Sequence, residues 1–188
     1  MTTNDTDAPQ KRPRRIDPIP PFSLRHVRFN RVHVAETEGR GLGVFADAPV
    51  KRGRAVGRVL GDLKPVDFRS CYCVEFAGAV LEPNEPYRFL NHSCDPNCEF
   101  IEWEIEDQFE SVLGEAPKSQ KTFELWLHAL RDVQKGEELT IDYGWSWQFA
   151  IPCKCGSPLC RGWICRLDEL DICLQNRGAP NCFVDEQS

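Results

Sequence analysis

Tyr87-Arg88-Phe89-Leu90-Asn91-His92-Ser93-Cys94-Asp95-Pro96-Asn97 is the stretch on which the reading of this chain turns. Asn, Ser, Asp and Pro crowd its second half, and these residues favour turns because their side chains bond nearby backbone or pre-set φ. The same bend carries an imidazole and a thiol, His92 and Cys94. Far downstream, Cys153-Lys154-Cys155 is followed after four residues by Cys160, which places three thiols within eight residues around Gly156 and Pro158. A structural zinc ion takes four ligands, with Zn–S about 2.3 Å, and a closed site fills all four positions from protein. The downstream cluster is one ligand short, and Cys94 is the candidate for the fourth position. Three unpaired thiols in a loop are the alternative; the CxCGSxxCRG context favours zinc.

The length, 188 residues, suits one ordinary domain with a hydrophobic core and short appendages. No apolar run approaches the roughly 18 to 20 residues that cross a bilayer, and Met1 to Gln10 is polar, unlike a signal peptide. An intracellular, soluble protein without membrane contact is therefore expected, cytoplasmic in a bacterium and nuclear in a eukaryote. Ten cysteines in such a chain point to metal binding and buried thiols, not a disulfide scaffold. The net charge of −6 argues against direct nucleic-acid binding and for a basic protein partner. Oligomeric state is not legible.

Along the chain, residues 1–22 combine a basic cluster (Lys11, Arg12, Arg14, Arg15) with prolines, the composition of a disordered tail. From Val27 short strand-like pieces alternate with turns. Ile101, Trp103 and Ile105 alternate with Glu102, Glu104 and Glu106, and Phe123, Leu125, Leu127 and Ala129 share one face at period two. Both read as half-buried strands, joined as a hairpin through the turn-like Gly114 to Lys121. Cys71-Tyr72-Cys73 reads as a buried strand whose thiols act as small hydrophobes. A short helix is expected from Leu167 to Asn176, stopped at Gly178. Cys98, Cys165, Cys173 and Cys182 carry no spacing argument.

Four segments, in order, resemble the signature of the SET-domain lysine methyltransferases with a cysteine-rich post-SET tail. They are Arg40-Gly41-Leu42-Gly43-Val44-Phe45-Ala46, the Tyr87 to Asn97 stretch, Gly136-Glu137-Glu138-Leu139-Thr140-Ile141-Asp142-Tyr143-Gly144, and the Cys153 to Gly162 cluster. The resemblance implies a mainly β fold of small curved sheets with a pseudoknot (β-clip type), in which the Asn91–His92 segment is threaded by the later strand, ending in a short C-terminal helix. It divides the chain into the tail 1–22, a SET domain 27–145, a post-SET zinc segment 146–166 and an extension 167–188.

The resemblance also implies the chemistry: S-adenosylmethionine as methyl donor, a lysine of a basic, histone-like protein or peptide as acceptor, and structural Zn²⁺ held by Cys94, Cys153, Cys155 and Cys160. Tyr143 takes the catalytic role, and Tyr72 lies near the lysine channel or in the core. Arg40, Gly41, Leu42 and Gly43 lie against the donor, and Asn91 and His92 hold its ends, although the same pair also reads as a turn. Arg88 reaches the donor carboxylate or braces the pseudoknot. The zinc folds Trp163 and Ile164 over the donor, while Trp145, Trp147 and Phe149 suit the channel wall and lid. Ile141 departs from the family's aromatic two residues before the tyrosine, which implies di- or trimethylation. The seven acidic and no basic residues from Glu99 to Glu115 would attract a basic peptide. A catalytically silent SET-like binding or adaptor module with a structural zinc site is the alternative.

Overall fold

The computed structural model describes residues 32–106 and 121–176. The basic cluster, the hairpin turn up to Gln120, the acidic residues beyond Glu106, Gly178 and Cys182 lie outside them. Twelve strands are present among the described residues, followed by one helix: β1 (Val32–Thr37), β2 (Gly41–Ala46), β3 (Ala55–Val59), β4 (Gly61–Lys64), β5 (Val74–Phe76), β6 (Ala79–Pro83), β7 (Asn91–His92), β8 (Cys98–Glu106), β9 (Lys121–Ala129), β10 (Glu138–Ile141), β11 (Ile151–Pro152), β12 (Trp163–Ile164) and α1 (Leu170–Asn176). A single 3-10 turn, Leu167–Glu169, leads into α1, so the expected helix begins with a tighter turn. No described helix is long and apolar enough to cross a membrane.

The strands form four small sheets, in the orders β1-β2-β10-β7, β3-β9-β8, β4-β6-β5 and β11-β12. The first positions the site. β1 and β2 form a hairpin, β10 adds antiparallel to β2, and β7 adds parallel to β10 with Asn91 opposite Thr140 and His92 opposite Ile141. β10 thus passes between the early hairpin and the Asn91–His92 segment, which is the threaded arrangement expected. Asn97, 1% exposed, fastens it. Its Nδ2 donates to Glu138 O at 2.7 Å and Glu137 Oε1 at 3.1 Å, and its Oδ1 accepts from Thr140 N at 2.8 Å. A buried amide left without these partners would cost about 1–3 kcal/mol.

β8 and β9 pair antiparallel from Cys98–Ala129 to Glu106–Lys121, as expected of a hairpin. The expectation of a half-buried β9 needs correction: Leu125, Trp126, Leu127, His128 and Ala129 are all buried. β9 is the central strand of its sheet, and the rings of Trp126 and His128 lie against Trp103 of β8, 6.3 and 5.6 Å between centroids. Those aromatics cover the face that would otherwise meet water.

The main core gathers Val44, Val56, Leu127, Val133 and Leu139 from four strands and one loop, each fully buried. Burying one such side chain stabilises by about 1.5–3 kcal/mol. A second, smaller cluster holds Ala150, Cys165 and Cys173, with Trp147, Trp163 and Leu170 packed on it. This cluster seats α1 on the post-SET segment, with Trp147 and Trp163 packed against it. Cys71-Tyr72-Cys73 is also corrected. It is a turn and not a buried strand: Tyr72 N donates to Ser70 Oγ at 3.2 Å, Cys73 N to Ser70 O at 3.2 Å, and Tyr72 is 40% exposed. The local bonds to Ser70 satisfy the backbone without a ladder.

Candidate active site and metal centre

Three loop thiols and one distant thiol converge. The Sγ atoms of Cys94, Cys153, Cys155 and Cys160 all lie within 4.8 Å of one another. Cys94 Sγ is 3.7 Å from Cys153 Sγ, and a tetrahedron with Zn–S near 2.3 Å has S–S edges of about 3.8 Å. The donor set therefore fits a four-coordinate, closed zinc ion. The loop folds this way because Gly156 and Gly162 supply left-handed φ values of +72° and +79°, and Cys160 N bonds Ser157 O at 3.0 Å. Backbone amides point at sulfur: Arg161 N to Cys94 at 3.3 Å and Gly162 N to Cys160 at 3.4 Å. Burial works against ionising Cys155, yet the amides of Cys94 and Ser157 and the neighbouring thiols bring its pKa down to about 6. Burial pushes Cys94 and Cys153 up. A divalent cation would ionise the rest of the set.

One turn away, β7 and β10 bring His92 and Tyr143 into contact. Tyr143 N donates to His92 Nδ1 at 3.2 Å, and the two rings lie 5.4 Å apart. His92 is 4% exposed, and burial drives its pKa down to about 4 against the opposing pull of Asp142. The imidazole is therefore neutral and accepts that amide proton. Its other nitrogen, Nε2, is 3.4 Å from Cys94 Sγ, so His92 links the thiol cluster to the tyrosine. The Tyr143 hydroxyl donates to Leu90 O at 2.8 Å, and its ring packs on Trp145 at 5.1 Å. Burial, with Cys71 and Tyr72 nearby, pushes the phenol up to about 12, so it remains protonated at neutral pH.

Tyr143 also lines a cavity of about 520 Å³ with Tyr72, Arg88, Phe100, Ile141 and Trp145 among its walls. Ile141 is 8% exposed. Arg88 stands on the same wall, its guanidinium stacked 4.5 Å over the Tyr72 ring.

Arg40, Gly41, Leu42, Gly43 and Asn91 form a separate cluster outside the cavity walls. Gly41 has φ +73° and an added Cβ would meet nothing within 4 Å, so its face is open. Gly43 is different: a Cβ there would come within 2.7 Å of Glu138 Oε1 and 3.2 Å of Asn91 Nδ2. Its missing side chain makes room for packing beneath the strand. Beside the open face sit a cation (Arg40), a carboxylate (Glu138) and an amide (Asn91), a set complementary to the zwitterionic amino-acid end of the methyl donor. Ile164 is buried on β12 opposite Ile151 and does not line the cavity.

Two residues of consequence carried no role in the sequence reading. Glu138 binds Arg40 at 2.6 Å and Asn91 at 2.8 Å, and Arg161 grips Asp142 through two bonds of 2.6 and 2.8 Å. Both stand inside recognised motifs, but their partners are 98, 47 and 19 residues away, beyond the reach of any local pattern.

The SET-domain family profile matches residues 41–144. The chain is 31% identical over 160 residues to a Schizosaccharomyces pombe histone-lysine N-methyltransferase, H3 lysine-36 specific, covering 74% of this chain and 18% of that protein. It is 30% identical over 164 residues to a Homo sapiens protein of the same description, covering 76% and 5%. With Arabidopsis thaliana histone-lysine N-methyltransferase ASHR3 it shares 28% over 174 residues, covering 82% and 30%. The chain thus spans less than a third of the length of these relatives. Among solved structures, KRYPTONITE in complex with mCHG DNA and SAH superposes with a TM-score of 0.55 at 21% identity, over 72% of this chain and 29% of that one, a likeness of fold. The motifs, the threaded sheet and the profile match agree: the chain belongs to the SET-domain family.

Proposed function

We propose that the protein is an S-adenosylmethionine-dependent protein-lysine N-methyltransferase acting on a basic, histone-like segment. The observation that carries this reading is the position of Tyr143, which lines the cavity and at the same time bonds His92 of the strand that holds Asn91. A lysine entering the cavity would bring its amine to the same tyrosine that borders the donor cluster.

When bound, S-adenosylmethionine supplies an activated methyl group for in-line transfer to nitrogen. The chain's own residues do the rest. Phe100, Ile141, Trp145 and Phe149 on the cavity walls exclude water from the lysine stem, and burial in apolar surroundings lowers an amine pKa from its ordinary value near 10.4. The Tyr143 phenol, protonated, holds its oxygen at a fixed place through Leu90 O and orients the incoming nitrogen. Alignment of this kind supplies several kcal/mol, up to about 7–11 in ideal cases. Arg40, Asn91 and the backbone of Gly41 and Leu42 would hold the donor, with His92 bracing Tyr143 through its backbone N–H.

Zinc on Cys94, Cys153, Cys155 and Cys160 acts mechanically, since four thiolates leave no open position for substrate. It would tie the thiol loop from Cys153 to Cys160 to Cys94 beside β7. Exposed Glu102 and Glu104, on one face of β8, offer negative charge to a Lys/Arg-rich peptide. The net charge of −6 favours such a peptide over direct nucleic-acid contact, and a histone-like substrate places the work in the nucleus of a eukaryotic cell. The relatives named histone-lysine methyltransferases support the same substrate class.

The test is incubation of the wild type, Tyr143→Phe and Cys155→Ser with methyl-labelled donor and a panel of basic proteins. Labelling by the wild type alone is expected; equal labelling by all three would refute both residue roles, and no labelling of any basic protein would refute the activity.

A further inference from the structure

The donor cluster contains an orientation that a single side chain decides. Asn91 Nδ2 lies 3.0 Å from Leu42 O and 2.8 Å from Glu138 Oε1. A carbonyl and an ionised carboxylate only accept, so the amide atom facing them is the nitrogen, and both of its hydrogens are used. What Asn91 has left to offer is Oδ1, and among the described residues no donor is placed on it. Glu138 is itself held: its second oxygen takes Arg40 Nη2 at 2.6 Å, with the two side chains 25% and 15% exposed. The space for this contact exists because residue 43 is glycine; a Cβ there would also strike Thr37 Cγ2 at 2.6 Å.

We infer that Glu138 is a positioning residue: it turns the Asn91 amide so that its oxygen faces the donor, and the site thereby selects a ligand bearing an α-ammonium group. The inference rests on the donor-binding reading above. Turned the other way, the amide would present two N–H groups to that ammonium, donor against donor, and the affinity would fall. The carboxylate of Glu138 stands directly behind the amide, so the field at Oδ1 is negative, while Arg40 keeps the pair neutral overall.

The experiment is calorimetric titration of the full, zinc-loaded chain with S-adenosylhomocysteine and with its deamino analogue, which differs only in lacking the α-amino group. A hydrogen bond to a charged group is worth enough that the wild type should prefer S-adenosylhomocysteine by about tenfold or more. Glu138→Ala removes the acceptor that fixes the amide, and the preference should shrink to about threefold or less. Glu138→Gln, nearly isosteric and therefore safe for folding, should shrink it too, because its oxygen turns to Arg40 and its NH₂ then confronts Asn91. Equal weakening of both ligands by either variant would reduce Glu138 to a structural part and overturn the inference, as would an unchanged preference. A wild type that binds both ligands equally also overturns it. Binding of neither ligand by the wild type would defeat the donor-binding reading itself.

Discussion

Arg161 spans the gap between the thiol cluster and the active-site strand: its guanidinium meets the Asp142 carboxylate through bonds of 2.6 and 2.8 Å, while its backbone N–H points at Cys94 Sγ from 3.3 Å. Asp142 immediately precedes Tyr143 and accepts from Gly144 N at 3.2 Å. The metal loop and the tyrosine are therefore joined by one bidentate pair. The Arg161 side chain is 10% exposed and Asp142 33%, so the pair is partly desolvated and its geometry matters more than that of a surface bridge.

Removing one partner leaves the other charge poorly solvated. Arg161→Gln is expected to destabilise the chain by about 2 kcal/mol, and adding Asp142→Asn should cost little more. Urea unfolding of the two single variants and the double variant checks this; additive losses would mean that the pair does not couple the two segments.

Metal content follows from the converging thiols. The purified chain should carry one zinc per molecule, and Cys94→Ser should lose it as fully as Cys155→Ser despite standing far away in sequence. Elemental analysis and thermal melting with and without chelator give the answer, the melting point falling once metal is withdrawn. Retention of full zinc by Cys94→Ser would exclude it as a ligand.

Tyr143 titrates near 12 because it is buried, so the phenol is uncharged throughout the working range. Tyr143→Phe should lower kcat by about 100-fold or more, yet any rise in rate between pH 7 and 10 should keep its shape in the variant's residual activity. That rise belongs to the substrate amine losing its proton. A pH profile that flattens in Tyr143→Phe would instead assign the ionisation to the tyrosine.

His128 supplies a pH dependence of stability. It is 4% exposed on β9, and burial lowers its pKa from 6.5, against a backbone bond with Gly53 that opposes the shift. Because the folded pKa lies below the unfolded one, the unfolded chain takes up the proton first as pH falls through 6.5. Stability is full above that value and declines below it. His92, also lowered by burial, adds a decline of the same sign. His128→Gln should make the loss of melting temperature between pH 7 and 5 shallower than in the wild type; an unchanged slope would contradict the assignment.

Ile141 lines the cavity with an aliphatic side chain that has no hydroxyl to restrain the amine or hold a water. Di- and trimethylated products are expected from the wild type, and Ile141→Tyr should shift the distribution toward monomethyl. Mass spectrometry of a modified peptide reads this directly, and a wild type that yields monomethyl product only would refute it.

What the linear sequence determined was whatever neighbouring residues carry among themselves. The alternation of Ile101, Trp103 and Ile105 specified β8, and the turn chemistry around Gly156 and Pro158 specified the thiol loop, because each is a property of a few consecutive residues, while the resemblance of the Asn91 to Asn97 run to the SET family implied the threaded segment. Local pattern misled at Cys71-Tyr72-Cys73, where Ser70 captured the backbone and made a turn, and on β9, where Trp103 covered a face that alternation had assigned to water. Only the tertiary structure decided which distant groups meet. The parallel pairing of β7 with β10, and the antiparallel pairing of β10 with β2, put Glu138 between Arg40 and Asn91, and the return of the C-terminal loop put Arg161 on Asp142. Such pairings depend on sheet order and strand register, which arise when the whole core packs, and no window of sequence contains them.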